Sequence, residues 1–308
     1  MTAVASIPLA HDPAPSVPQS RAALLSYGLT APALIGVFVL ILLPAASVLG
    51  LALTDWQFGA KRLSFIGVAN FRKLWADPVF WKAAANTALY AAIVIPGTIM
   101  LGLAVSLLIH ARSSFKSVYQ AIHFIPVMAT MAAMAIVWES MLHPTIGLVN
   151  HLLSMAGLGG RNWLRDPAMV LPTLAVIGIW QQFGFAMVLF MSGLQSIPKE
   201  LYEAARADGA ASAFDRFFIV TLPMLGPVAL FIAVVTAIRS LQVFDTVQVL
   251  TQGGPNGASE VLLHRLYVEA FGFLRTGYGA AFTVVFTAAV AILTVLQTRT
   301  LDRRVHYA

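Results

Sequence analysis

The sequence predicts an all-α, polytopic membrane protein: a bundle of six transmembrane helices with a charged helical loop between two of them. Three observations carry this. Of 308 residues, 59% are hydrophobic and only 10% are charged, against roughly 25% charged in soluble domains. The mean hydropathy is +0.81. Six apolar stretches also reach the length of about 20 residues that an α-helix needs to cross a bilayer.

Those stretches are 26–53, 81–109, 118–141, 169–194, 223–249 and 277–296. Several contain proline, as at Pro44, Pro96, Pro126 and Pro227. Membrane helices tolerate such breaks when neighbouring groups satisfy the freed backbone. Ahead of the first span, residues 1–24 are rich in Pro and Ala, with no Lys or Arg before Arg21. That start lacks the positive n-region and short apolar core of a secretory signal, so it reads as a cytoplasmic tail before an uncleaved anchor. The six-helix bundle is expected over 25–298, with a second tail at 299–308. Short-loop Lys and Arg should set orientation. With the N-terminus inside they divide nine against nine, leaving Arg239 within a span, so charge alone does not orient the chain.

The connections 54–80, 142–168 and 250–276 are long. In the last, Leu262, Leu263, Leu266, Tyr267, Ala270 and Phe271 fall roughly on one helical face. That pattern predicts a helix lying in the headgroup region, and such a face could also serve an external partner.

Between spans four and five the sequence reads LYEAARADGAASAFDRFFIVTLP, residues 201–223, with five charged residues. Pro198 suits a helix start and Glu200 complements its dipole. Leu201, Ala204, Ala205 and Asp208 lie on one side, making a small flat face. Gly209 can end the helix, and Ser212 with Asp215 fits a capping box that starts another. Phe214, Phe217 and Phe218 then form an apolar face. Two short helices around a glycine bury little alone. They read either as an interfacial hairpin or as a segment for a partner's groove.

Catalytic chemistry finds little support. There is no cysteine, so no thiolate site or disulfide is possible. The seven histidines show no HExxH or comparable spacing. His123 reads as a packed span residue, and Ser106 and Ser154 lack a base at fixed spacing. No GxxxxGK[ST] occurs, so ATP hydrolysis, if used, belongs to another polypeptide. The net charge of +6 suits anionic lipid, and no basic run interleaved with aromatics points to nucleic acid. Catalytic and metal sites are therefore expected to be absent, and no cofactor is expected on this chain.

Polar groups inside spans are costly and often mark pathways. Candidates are Glu139 near the end of span three, Trp180, Gln181 and Gln182 in span four, and Arg239, Gln242, Asp245 and Gln248 in span five. On a continuous helix Asp245 shares a face with Gln242 and with Gln248. Aromatic, amide and carboxylate groups suit a sugar. Arg239 suits a phosphate, or equally a structural carboxylate or backbone carbonyl.

Glu203-Ala204-Ala205, then Gly209, then Leu222-Pro223 resembles the signature loop of ABC importer permeases. The segments FIGVANFRKLWADPVFWKAAANT, GLQSIPKELYEAARADGA and FDTVQVLTQGGPNGASEVLLHRLYVEAF are similar to the carbohydrate-uptake branch, of maltose and glycerol-3-phosphate type. The likeness covers most of the chain from about residue 25. It implies the first of two unlike permease subunits in a bacterial inner membrane, paired as a heterodimer, with an ABC ATPase dimer carrying ATP and Mg. An extracytoplasmic substrate-binding protein and membrane lipids complete the expected partners. It further implies cytoplasmic termini and an ATPase-coupling loop at about 196–222, using Glu203, Ala204, Ala205, Asp208, Gly209, Phe217, Leu222 and Pro223. One departure stands out. Gly209 to Pro223 is one residue longer than the family pattern, which suggests an extra alanine at 210 or 211. The rival reading is an ion-coupled secondary transporter without an ATPase, with Arg239, Asp245 or Glu139 in a relay. Its usual mark, inverted repeats, is not evident.

Overall fold

A computed structural model describes residues 19–111 and 114–302. Arg112, Arg303, Arg304 and most of the two expected tails lie outside the described residues. The chain forms two units, residues 1–50 and 51–308. The first contains α1 (Gln19–Val37), a π turn (Phe38–Leu42) and most of α2 (Leu43–Ala52). From Tyr27 to Gly50 no side chain of this unit is buried. The stretch Tyr27–Ala52 is long and apolar enough to cross a membrane.

The second unit begins with a short α3 (Ala69–Ala76) and a 33-residue α4 (Pro78–His110). Asp77 caps α4 by accepting from the Val79 backbone N–H, with Pro78 at the first helical position, where a missing N–H costs nothing. α4 packs against α8 (Val170–Ser196), a second long helix. Glycines let them approach. A Cβ on Gly102 would sit 2.7 Å from the Ala186 Cβ and 3.1 Å from the Met187 backbone N. Small residues at such crossings replace hydrophobic driving force with close van der Waals contact.

The third predicted span is not one straight helix. It consists of α5 (Lys116–Met128) and α6 (Met131–Met141), bent by 99°. Pro126 removes an N–H from the last turn of α5, and Ala129 and Thr130 are then extended, with ψ of 134° and 137°. Among the described residues five helices are thus long and apolar enough to span, or six with this bent pair counted as one. The fifth predicted span is also interrupted. α11 (Leu222–Met224) and α12 (Gly226–Leu241) lead to a break, after which α13 (Asp245–Leu250) resumes. The last long helix is α15 (Thr276–Asp302).

The connections are packed and polar-anchored. After α6, α7 (Leu148–Met155) carries buried Asn150. Its Nδ2 donates to the Pro144 and Arg161 carbonyls at 2.9 and 2.8 Å, and its Oδ1 accepts from the Arg161 N–H and the Trp163 indole at 3.1 and 2.9 Å. Asn150→Ala strands several buried groups, each costing about 1–3 kcal/mol. It is expected to speed amide exchange across residues 144–163 while leaving α4 and α8 protected.

The segment 251–261 is held to α4 in the same way. Asn86 donates to the carbonyls of Gly257 and Glu260 at 3.1 and 2.8 Å, Lys82 to that of Asn256 at 2.6 Å, and Thr87 accepts from the Leu262 N–H at 2.9 Å. In α14 (Leu262–Tyr267) and its following π turn (Val268–Gly272) the predicted apolar residues do not all share one buried face. Leu262, Leu263 and Leu266 do pack on a core of Leu74, Phe80, Tyr278, Phe282 and Phe286. However, His264 and Glu269 are buried while Tyr267 and Phe271 are exposed. The reason is internal pairing: His264 hydrogen-bonds Glu260, and Glu269 binds Arg265 and Arg275, so the polar side turns inward.

Candidate functional site

The break in the fifth span creates a polar cavity of about 200 Å³. α12 stops at Leu241, Gln242 to Phe244 are non-helical, and Asp245 opens α13. Non-helical backbone at membrane depth is tolerated where it lines a cavity, and that is its position here. Gln181, Gln182, Arg239, Gln242 and Asp245 line the cavity, so the structure brings five of the eight predicted pathway residues together. Each charge also complements its own helix end: Arg239 lies in the last turn of α12 and Asp245 in the first turn of α13.

Three predicted residues fall elsewhere. Trp180 stacks edge-on against Trp138 at 5.3 Å and does not line this cavity. Trp138 in turn lines a separate apolar cavity of about 280 Å³ with Trp163 and Ile177. Glu139 is exposed on α6, which the 99° bend swings away from α5. Gln248 is half-buried outside the lining, because it sits one turn along α13 from the break at 242–244 that forms the cavity.

Sequence reasoning missed Tyr90, Val127, Val243, Phe244 and Thr246, which complete the lining. A tyrosine hydroxyl in mid-span was the one available signal. Tyr90 is seated by Gly178, where a Cβ would come within 2.2 Å of the phenol oxygen. The side-chain oxygen of Gln182 is buried without a hydrogen-bond partner. Nearby, His123 is a packed residue: its Nδ1 lies 2.7 Å from the Tyr119 carbonyl and its ring contacts Phe183. Among the described residues no group of three or more His, Cys, Asp or Glu is placed to hold a metal.

A second candidate region is the predicted loop. α9 (Lys199–Ala207) ends in a Schellman motif: Gly209 N–H donates to the Arg206 carbonyl at 3.1 Å and Ala210 N–H to Ala205 at 2.9 Å. Gly209 has φ +98°, a conformation that favours glycine. This closure buries Ala205 against Ala210 and leaves Glu203, Ala204, Asp208 and Gly209 exposed. Ala205 is therefore a core residue and not part of the exposed face that the sequence suggested. The Tyr202 and Thr221 hydroxyls are 3.0 Å apart, tying α9 to the following span.

α10 (Ala213–Arg216) starts with the expected capping box. Ser212 Oγ accepts the Asp215 N–H at 2.9 Å, while Asp215 accepts from the Ser212 hydroxyl and N–H at 2.6 and 3.1 Å. Phe214 and Phe218 are exposed and stacked, Phe217 is half-buried, and Leu222 and Pro223 are exposed. A π turn spans Phe217–Thr221. A π turn accommodates one residue more than an α turn.

The Ser212 side-chain and backbone hydrogen bonds hold the Asp215 carboxyl below its ordinary pKa. A group depressed in the folded loop contributes order above its unfolded pKa and loses it as pH falls through the folded value. The amide protection of Ser212 and Asp215 is therefore expected to hold from pH 7 to 5 and fail only below the ordinary aspartate value of about 3.9. In Ser212→Ala the loss should move to higher pH, as read by exchange mass spectrometry.

Comparison with known proteins follows the same lines. The trehalose/maltose transport system permease protein of Thermococcus litoralis is 33% identical, over 89% of this chain and 90% of that protein. The sulfoquinovosyl glycerol transport system permease protein of Agrobacterium fabrum is 32% identical, over 90% of each. A bacterial alginate ABC transporter, crystallised in complex with an alginate pentasaccharide-bound periplasmic protein, matches in fold with a TM-score of 0.81 at 20% identity, covering 94% of this chain and 97% of that one. Residues 99–307 match the family described as the binding-protein-dependent transport system inner membrane component. The chain belongs to that family and is a multi-pass membrane permease component.

Proposed function

We propose that the chain is one transmembrane subunit of an ATP-driven importer for a sugar, oligosaccharide or related polyol or glycerol phosphate. In this reading, residues 25–298 form the permease domain, 1–24 and 299–308 are cytoplasmic tails, and the membrane is the bacterial inner membrane. A second, unlike permease subunit supplies the other half of the pathway. An extracytoplasmic binding protein delivers cargo, and ATP with Mg is bound and hydrolysed by a separate ATPase dimer. The cavity at the α12–α13 break forms part of the pathway, with Gln181, Gln182, Gln242 and Asp245 hydrogen-bonding hydroxyls.

The observation that carries this reading is the exposed elbow of α9 and α10. Glu203, Ala204, Asp208 and Gly209 face solvent on one side, and Ala205, Ala210 and Val220 root the elbow in a core that includes Phe190 and Ile232. A partner that pulls on Glu203 to Gly209 therefore moves packed spans. ATP binding needs only to favour one arrangement of those spans over the other. The family match favours this over an ion-coupled carrier.

Because the chain has no cysteine, Ala204→Cys introduces a single reactive thiol at an exposed position. In the purified complex this thiol should cross-link to the co-purifying ATPase. In inverted vesicles lacking the ATPase it should react with an impermeant maleimide, and in intact cells it should not. Labelling from outside intact cells would contradict the assignment.

A further inference from the structure

Arg239, exposed in this chain although it lies within a span, is a charge that the fold leaves uncommitted. Intramembrane ionisable residues are rare and normally pair with one another or with backbone carbonyls. Among the described residues Arg239 makes neither an ion pair nor a hydrogen bond. Its contact is with the Phe185 ring, 4.9 Å from guanidinium carbon to ring centroid. That contact supplies no acceptor oxygen for its five donors. Asp245 lines the same cavity across the 242–244 break, but it forms no ion pair with Arg239.

Apart from Asp245, the polar part of the lining is neutral. Gln181, Gln182 and Gln242 contribute amides, and the Gln182 oxygen, already buried, waits for a donor. A neutral sugar could satisfy these amides, yet it would offer the guanidinium fork no bidentate anionic acceptor when the pathway closes. Closure removes water, and an unpaired buried charge is then strongly unfavourable. A phosphate, sulfonate or carboxylate would take the guanidinium fork in two parallel hydrogen bonds.

We infer that the cargo is a small polyol or sugar bearing one anionic group, that Arg239 receives that group, and that Gln182 and Asp245 accept hydrogen bonds from its hydroxyls. This rests on the importer reading above and narrows it from carbohydrates in general to anionic ones. Arg239 then acts as a specificity-determining residue, touching cargo directly.

The test uses the complete complex, reconstituted with ATP inside proteoliposomes and its binding protein outside. The probes are sn-glycerol 3-phosphate, sulfoquinovosyl glycerol and an oligo-uronide, set against glycerol, maltose and trehalose. Uptake is expected for an anionic member and not for its neutral counterpart. Arg239→Gln should lower that uptake at least tenfold, and Arg239→Lys should recover part of it, with equal recovery of assembled complex throughout. ATP-driven uptake confined to neutral sugars would overturn the inference and leave the importer reading standing. So would Arg239→Gln transporting an anionic cargo at the parent rate. Absence of any ATP-dependent uptake would overturn both.

Discussion

Gly209→Val is expected to leave the complex assembled and able to engage its binding protein, yet to cut cargo uptake at least tenfold. The effect is purely one of backbone. Gly209 sits at φ +98°, and a Cβ placed there meets nothing within 4 Å. No packing is lost and no clash arises, so the variant should fold. What it cannot do without strain is hold the turn, since residues in sparsely populated φ/ψ regions cost about 1–3 kcal/mol each. A β-branched side chain relaxes by pulling the Gly209 and Ala210 N–H groups off the Arg206 and Ala205 carbonyls. The exposed Glu203–Asp208 face would then no longer be fixed to the spans below it. Gly209→Asn, which tolerates positive φ better, should retain part of the activity. Parallel uptake and stimulated-ATPase assays at equal expression make the check, and unchanged uptake by the valine variant would count heavily against a coupling role.

Gly184→Val is expected to fail earlier, by preventing the bundle from forming. A Cβ on Gly184 would lie 2.2 Å from the His123 carbonyl oxygen and 3.1 Å from its carbonyl carbon. Both are backbone atoms of α5, so the helices themselves must separate. Overpacking in a tight core costs typically about 1–3 kcal/mol and more when backbone must move. Here it would also open the cavity wall that Gln181 and Gln182 provide. The yield of monodisperse protein in detergent should fall severalfold and its melting temperature should drop. Gly97→Ala offers the contrast. Its added Cβ meets mainly the flexible end of Ile179, at 2.4 Å from Cδ1. Rotation of that side chain should make the change mild. Equal behaviour of the two variants would remove close α5–α8 packing as the explanation.

These glycines also mark where the sequence stopped being readable. Span number and order follow from hydropathy, because a bilayer demands about 20 apolar residues per crossing, and the loop was legible because capping and C-cap chemistry are local. The breaks were not. Pro126 signalled a weak point, but the 99° bend also depends on how α5 seats against Gly184, which is tertiary. Residues 241–245, Leu-Gln-Val-Phe-Asp, contain no Gly or Pro, so nothing local announces the end of α12. Gln242 and Asp245 flank that break and line the cavity, whereas Gln248 lies one turn further along α13.

Burial was misjudged for a related reason. The pattern around Leu262 placed apolar residues on one face, and three of those leucines do pack inward. Glu269 nevertheless goes inside as well, because Arg265 and Arg275 come with it as partners. Arg275 lies beyond the helix, out of reach of any periodicity argument. Ala205 was similarly drawn into the core by Ala210 across the Gly209 turn. At Arg239 the sequence could offer only alternatives, since whether a cation is paired is a fact of three dimensions.

The central claim is that transport through this chain is driven by ATP hydrolysed elsewhere and transmitted through the α9–α10 elbow. The most direct measurement is uptake into proteoliposomes containing the purified complex, energised either by ATP or by an imposed proton or sodium gradient, with intact chain and with Gly209→Val. Uptake is expected with ATP alone, with no response to the ion gradients and with loss of that uptake in the variant. Gradient-driven uptake by this polypeptide without an ATPase would contradict the claim.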